Sequence, residues 1–108
     1  MNKRVYLIGD ITHAGVARLI TDLRVAGVEA IPATEDDQFD VAIFCYTRRD
    51  PAPEEWRIVD KNRNARFLPV QFEDGRIPGI FASDKPADFR KDPKAALAAL
   101  LKAIEKFC

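Results

Sequence analysis

Four short apolar runs, Val5–Ile8, Val28–Ile31, Val41–Cys45 and Phe67–Val70, alternate along the chain with stretches in which apolar residues recur every three or four positions. A continuous apolar run bounded by polar or turn residues is the pattern of a strand covered on both faces. In the first periodic stretch Val16, Leu19, Ile20 and Leu23 fall on one helix face, while Arg18, Asp22 and Arg24 look outward. Gly27 follows the last turn and can take the left-handed conformation that ends a helix. Pro51 and Pro53 set up a second helix through Trp56, Ile58 and Val59, with Asn62 or Asn64 near its end. Pro32 stops the second strand, Glu73–Arg76 reads as a turn, and a brief fifth strand is expected near Ala87–Phe89 within an irregular stretch, "IPGIFASDKPADF". A last helix is capped by Asp92 with Pro93 at its first position. Leu97, Leu100, Leu101, Ile104 and Phe107 make its buried face, and Lys94, Lys102 and Lys106 its wet one.

Buried strands alternating with helices predict an α/β fold: a flavodoxin-like, all-parallel sheet with helices on both faces. Right-handed crossovers give the strand order 2-1-3-4, with the fifth strand beside the fourth. One segment fits this badly. Between Ile31 and Val41 the chain has room for at most one helical turn, where a parallel crossover commonly takes a dozen residues. The segment is expected to be nearly taut, and a hairpin of strands 2 and 3 is the main alternative.

Composition narrows the picture further. A chain of 108 residues suits a single domain, 1–108, and 47% hydrophobic with 31% charged residues is a globular mixture. Lys plus Arg balances Asp plus Glu at 17 each, so no overall field attracts nucleic acid or an anionic membrane. The opening "MNKRVYLIGD" has two cations before an apolar run, but the run ends at Gly9-Asp10, too soon for a secretory signal. Cys45 lies within an apolar run and reads as a core residue, and Cys108 as a frayed terminal thiol. With neither a metal-ligand spacing nor a disulfide framework, the expected address is cytoplasmic.

In open α/β sheets ligands bind beyond the carboxyl ends of the strands, where the strand order reverses. Here that crevice falls between strands 1 and 3. The loops edging it are Gly9–His13 and Tyr46–Pro53, which carry Asp10, Thr12, His13, Tyr46, Thr47, Arg48, Arg49 and Asp50. Trp56 and Asp60, four residues apart on one helix face, could both be presented to it. Gly9 and Gly15 have neither dinucleotide-fingerprint spacing nor a P-loop lysine, and a single His leaves too few ligands for zinc. A two-component receiver would share the fold, and Lys85-Pro86 and Asp10 resemble its features. Its phosphoacceptor position, however, is occupied here by Cys45-Tyr46-Thr47.

Taken in order, "LITDLRVAGVEAI", "FDVAIFCYT", "EEWRIVDKN", "ARFLPVQFEDGRIPGIF" and "ADFRKDPKAALAALLKAI" resemble a compact TIR (Toll/interleukin-1 receptor) domain over nearly the whole chain. The resemblance implies a cytoplasmic signalling or defence module that assembles with itself or another TIR-like domain. It departs in two places. The family's long loop and helix between strands 2 and 3, a usual assembly contact, is almost gone. NAD-cleaving members carry a glutamate four residues after the tryptophan, and here that position is Asp60. The resemblance therefore implies, as the alternative, an NAD(P)+ nucleosidase with Asp60 as its catalytic acid, no resident cofactor or metal, and NAD as substrate. Such a carboxylate would stabilise positive charge on the ribose as nicotinamide leaves, with Trp56 or Tyr46 walling the ring. Aspartate is shorter by one methylene, on the order of 1.5 Å. A misplacement of about 1 Å can cost a hundredfold in rate.

Each candidate also has a plainer reading. Trp56 reads first as a core anchor, mostly buried, and Asp60 as a surface helix residue paired with Arg57 or Arg63, or else at the rim of the crevice with Asp10, Tyr46 and Arg48. His13 is a helix cap or a hydrogen-bond donor to a nucleotide. Arg48 and Arg49 are anion ligands or ordinary surface. Arg57, Lys61, Arg63 and Arg66 are a solvated face, with an acidic partner or nucleotide phosphates as the alternative.

Overall fold

A computed structural model describes residues 3–81 and 85–107. The expectation for Cys108 and part of the irregular stretch fall outside the described residues. In chain order the elements are β1 (Lys3–Ile8), α1 (Ala14–Val25), β2 (Val28–Pro32), β3 (Val41–Tyr46), α2 (Pro53–Lys61), β4 (Arg66–Gln71), a 3-10 turn (Gly79–Phe81), β5 (Ala87–Asp88) and α3 (Pro93–Phe107). The five strands form one sheet in the order β2-β1-β3-β4-β5, and every neighbouring pair is parallel. Among the described residues no helix is long and apolar enough to cross a membrane.

Two apolar layers sandwich the sheet. On one face Val5, Leu7, Val41, Ile43, Leu68 and Val70 meet Val16, Leu19 and Leu23 of α1 and Leu100 and Ile104 of α3. On the other face Ile8, Ala42, Phe44 and Phe67 meet Ile58 and Val59 of α2 and Phe81 of the 3-10 turn. All six residues of β3 are buried, because helices cover both faces of this central strand. The helix ends follow from local chemistry. His13 Nδ1 accepts from the Gly15 amide to cap α1. Asp92 Oδ1 accepts from the Ala95 amide to cap α3. Gly27, at φ 87°, takes the left-handed conformation after α1. In α3 the expected inward face is narrower than the sequence pattern suggests. Leu100 and Ile104 are buried, whereas Leu97 and Leu101 are only half-buried against the same core.

The segment joining β2 to β3 is not taut. Pro32 is level with Leu7 of β1, which is level with Ile43 of β3. Residues 33–40 therefore descend only two residues along the sheet while stepping over one strand, a direct path of roughly 12 Å. Eight residues could span roughly 30 Å. The slack is taken up by a turn in which Thr34 donates its amide and hydroxyl to Asp37 Oδ2, at 2.7 and 3.0 Å. Phe39 then sinks between Tyr6 (ring centroids 5.2 Å) and Phe67 (6.1 Å). This crossover covers the sheet where a helix is missing. Asn62, at the end of α2 and 5% exposed, pins it there. Its Oδ1 accepts from the Phe39 amide at 2.9 Å, and its Nδ2 donates to the carbonyls of Asp37 (3.1 Å) and Ile58 (2.9 Å).

Candidate functional site

The order reversal between β1 and β3 brings Asp10, His13, Tyr46, Arg48 and Arg49 to one end of the sheet, but their side chains are largely committed to one another and to the loop after β4. Asp10 Oδ1 accepts from the amide and hydroxyl of Thr12, which hold its carboxyl below the usual carboxylate range; Arg49 and His13 act in the same direction more weakly. Because Gly15 donates to His13 Nδ1, this hydrogen-bond pattern assigns the ring proton to Nε2, which donates to Glu73 Oε1 at 3.1 Å. This bond laces the β1 loop to the β4 loop. Arg48 adopts the left-handed conformation, φ 66°, unusual for a side-chain-bearing residue, and its Nε donates to the Asp74 carbonyl at 3.1 Å. Arg49 pairs with Glu55 at 3.2 Å, and Glu55 in turn accepts from the Ala52 amide at the start of α2.

Tyr46 ends β3 and belongs to the apolar layer on the α2 face. It is buried, and Gly75 presses so close that a Cβ there would lie 2.1 Å from the tyrosine hydroxyl oxygen. Gly75 also holds φ 141°, a conformation L side chains rarely adopt. The buried Gln71 keeps the loop down by donating to the carbonyls of Glu73 and Gly75, both at 3.1 Å. Residues 73–75 thus pack against Tyr46 over the carboxyl end of β3.

Trp56 and Asp60 are placed differently from the expectation. Trp56 is 40% exposed rather than mostly buried. The inward stripe of α2 is Glu55, Ile58, Val59 and Asn62, and at 3.6 residues per turn Trp56 falls about 110° around the helix from its centre. Its ring stacks on Phe81 (centroids 5.8 Å), which stacks on Phe44 (3.8 Å), so the indole is the outermost of three aromatic layers. Asp60 does not reach the crevice rim. Because α2 runs antiparallel to the strands, Asp60 lies roughly 10 Å further along its axis than Pro53, toward the amino end of the sheet where Arg66 starts β4. There its Oδ1 pairs with Arg63 at 3.1 Å, and it lines a cavity of about 780 Å³ with Arg63, Asn64, Arg66, Phe67 and Ile80. Trp56, Tyr46, Asp10 and Arg48 are not among that cavity's lining residues. Arg57 pairs with Glu35, and Lys61 donates to the Glu35 carbonyl at 2.6 Å, so both serve the crossover.

Among the described residues no three of His, Cys, Asp and Glu gather as a metal site requires. Burial pushes the Cys45 thiol well above its usual range, leaving it an inert core group. Sequence reasoning passed over two surfaces. A groove of about 1030 Å³ runs between β4–β5 and α3, floored by Pro69, Pro86, Ala87, Ala99 and Ala103. A smaller cleft of about 390 Å³ opens between α1 and α3 over Phe72 and Phe89. Comparison of the chain with protein-family models, with curated proteins and with solved structures gave no match.

Proposed function

We propose that this chain is a TIR-like binding module of the cytoplasm that works in signalling or defence through contact with a second copy of itself or a related domain, and not through nucleic acid or a membrane. The outward stacking of Trp56 carries this reading. An aromatic residue 40% exposed, backed by the rigid pair Phe81 and Phe44, has the form of an interface anchor. Ile80, 54% exposed and adjacent in sequence to Phe81, extends the apolar surface toward Asp60 and Arg63. The test is light-scattering mass across a concentration series. Wild type should rise above monomer mass and Trp56→Ala, Ile80→Ser should not, with circular dichroism confirming that the variant is folded. A wild-type mass that stays monomeric at millimolar concentration would remove the self-assembly reading.

One observation favours a second reading, the NAD(P)+ nucleosidase. Asp60 lines a polar cavity with Arg63, its ion-pair partner, and with Arg66, whose guanidinium lies over the Phe107 ring. Its test is nicotinamide release on incubation with NAD+ and NADP+. Wild type should show turnover, Asp60→Glu more, and Asp60→Ala none. A folded Asp60→Glu variant inert toward both dinucleotides would end this reading.

A further inference from the structure

The cleft between α1 and α3 has a composition that the assembly reading does not use. Its floor is formed by Phe72 and Phe89, the residues immediately after β4 and β5, so both rings stand at the carboxyl ends of strands. The rings are 5.2 Å apart and tilted by 35°, and both are half-buried, with Leu19 completing an apolar bed. Gly15 lets the first turn of α1 pack directly against this bed. A Cβ at that position would come within 2.7 Å of the Phe72 ring, so a larger residue would displace the ring.

The rim is charged. Arg18 stands on the α1 wall, Lys94 on the α3 wall and Lys91 in the turn that leads into α3, against Asp22 and Asp92. The two acids are already engaged, Asp92 in capping α3 and Asp22 facing Arg18 at 3.8 Å. Among the described residues Lys91 and Lys94 have no acidic partner within ion-pair distance. The first turns of α1 and α3 contribute Gly15 and Pro93 to its lining. A volume of about 390 Å³ is near the lower end of small-ligand pockets, room for one fused ring system.

We infer that this cleft binds a small planar aromatic anion, its ring laid on Phe72 and Phe89 and its charged group held among Arg18, Lys91 and Lys94. The site is independent of self-association, since every group belongs to one chain. Naphthalene-2-sulfonate serves as the probe, titrated into dilute wild-type protein and followed by amide chemical shifts. Saturable shifts should centre on Gly15, Phe72, Phe89 and Lys94. The uncharged analogue 2-naphthalenemethanol should bind at least about tenfold more weakly, as should inorganic sulfate, because each lacks one half of the recognition. The double variant Arg18→Glu, Lys94→Glu changes only exposed positions and should weaken the sulfonate by at least about tenfold while keeping the wild-type circular dichroism spectrum. No saturable shift, equal affinity for the uncharged analogue or for sulfate, or shifts centred on Ala99 and Lys102 in the other groove would each overturn the assignment.

Discussion

Asn62→Ala is expected to be among the most damaging single changes outside the apolar core. The side chain is 5% exposed and makes three hydrogen bonds, two of them to the crossover that takes the place of a helix between β2 and β3. Alanine would leave the Phe39 amide and the Asp37 carbonyl without that partner in part-buried surroundings. At about 1–3 kcal/mol for each orphaned group, the loss is about 2–6 kcal/mol. A domain of this size has a total stability of roughly 5–15 kcal/mol. Urea unfolding followed by circular dichroism gives the assay. With a slope of about 1–3 kcal/mol per molar, the midpoint should fall by at least about 0.7 M at an unchanged slope. Glu35→Ala is the control on the same segment. It removes only the exposed pair with Arg57 and should change stability by less than about 0.5 kcal/mol. An Asn62→Ala midpoint within error of Glu35→Ala would refute the claim that this amide pins the crossover.

Leu100→Ala and Ile104→Ala should each cost about 2–5 kcal/mol by the same assay, and Leu97→Ala and Leu101→Ala clearly less, since the latter pair is only half-buried. Gly75→Ala should destabilise by about 1–3 kcal/mol through its backbone conformation, with a further loss from collision with Tyr46. Tyr46→Phe in the same chain should recover only the collision part, which a double-mutant cycle measures. Hydrogen bonds from Arg90 hold the Asp88 carboxyl well below the usual carboxylate range. A pKa depressed on folding contributes stability above the unfolded-state value of about 3.9 and loses it as the pH falls through the folded one. The gap in urea midpoint between wild type and Asp88→Asn should therefore be constant near neutrality and shrink below about pH 4. A gap independent of pH would contradict that linkage.

How far the sequence foretold the structure depends on the kind of signal each element carries. β1, β3 and α1 were legible because unbroken apolar runs and a 3.6-residue period have few other solutions in a chain of this size. The caps at Asp92 and Gly27 were legible because they rest on local geometry. Trp56 misled because the inward stripe of α2 is completed by polar residues. Glu55 and Asn62 turn inward to satisfy backbone groups, a role hydropathy does not register, and the indole is left on the flank. The one available clue was that Glu55, Ile58, Val59 and Asn62 share a face. Length alone makes the crossover look taut, and only the strand register shows how short a path it has to cover. The approach of Gly75 to Tyr46 joins the loop after β4 to the end of β3, a tertiary contact with no local pattern. Phe72 and Phe89 each follow a polar strand residue, Gln71 and Asp88, and only the pairing of β4 with β5 brings the two rings together.

The central claim is that the exposed indole of Trp56 is a contact surface, and the chain's single tryptophan is its own reporter. The decisive measurement is tryptophan emission and acrylamide quenching from micromolar to millimolar protein, read beside light-scattering mass on the same samples. The account predicts that emission shifts to shorter wavelength and quenching falls as the mass rises above monomer. Emission and quenching that stay constant while the mass rises would place the contact elsewhere, and a mass that never rises would contradict self-assembly altogether.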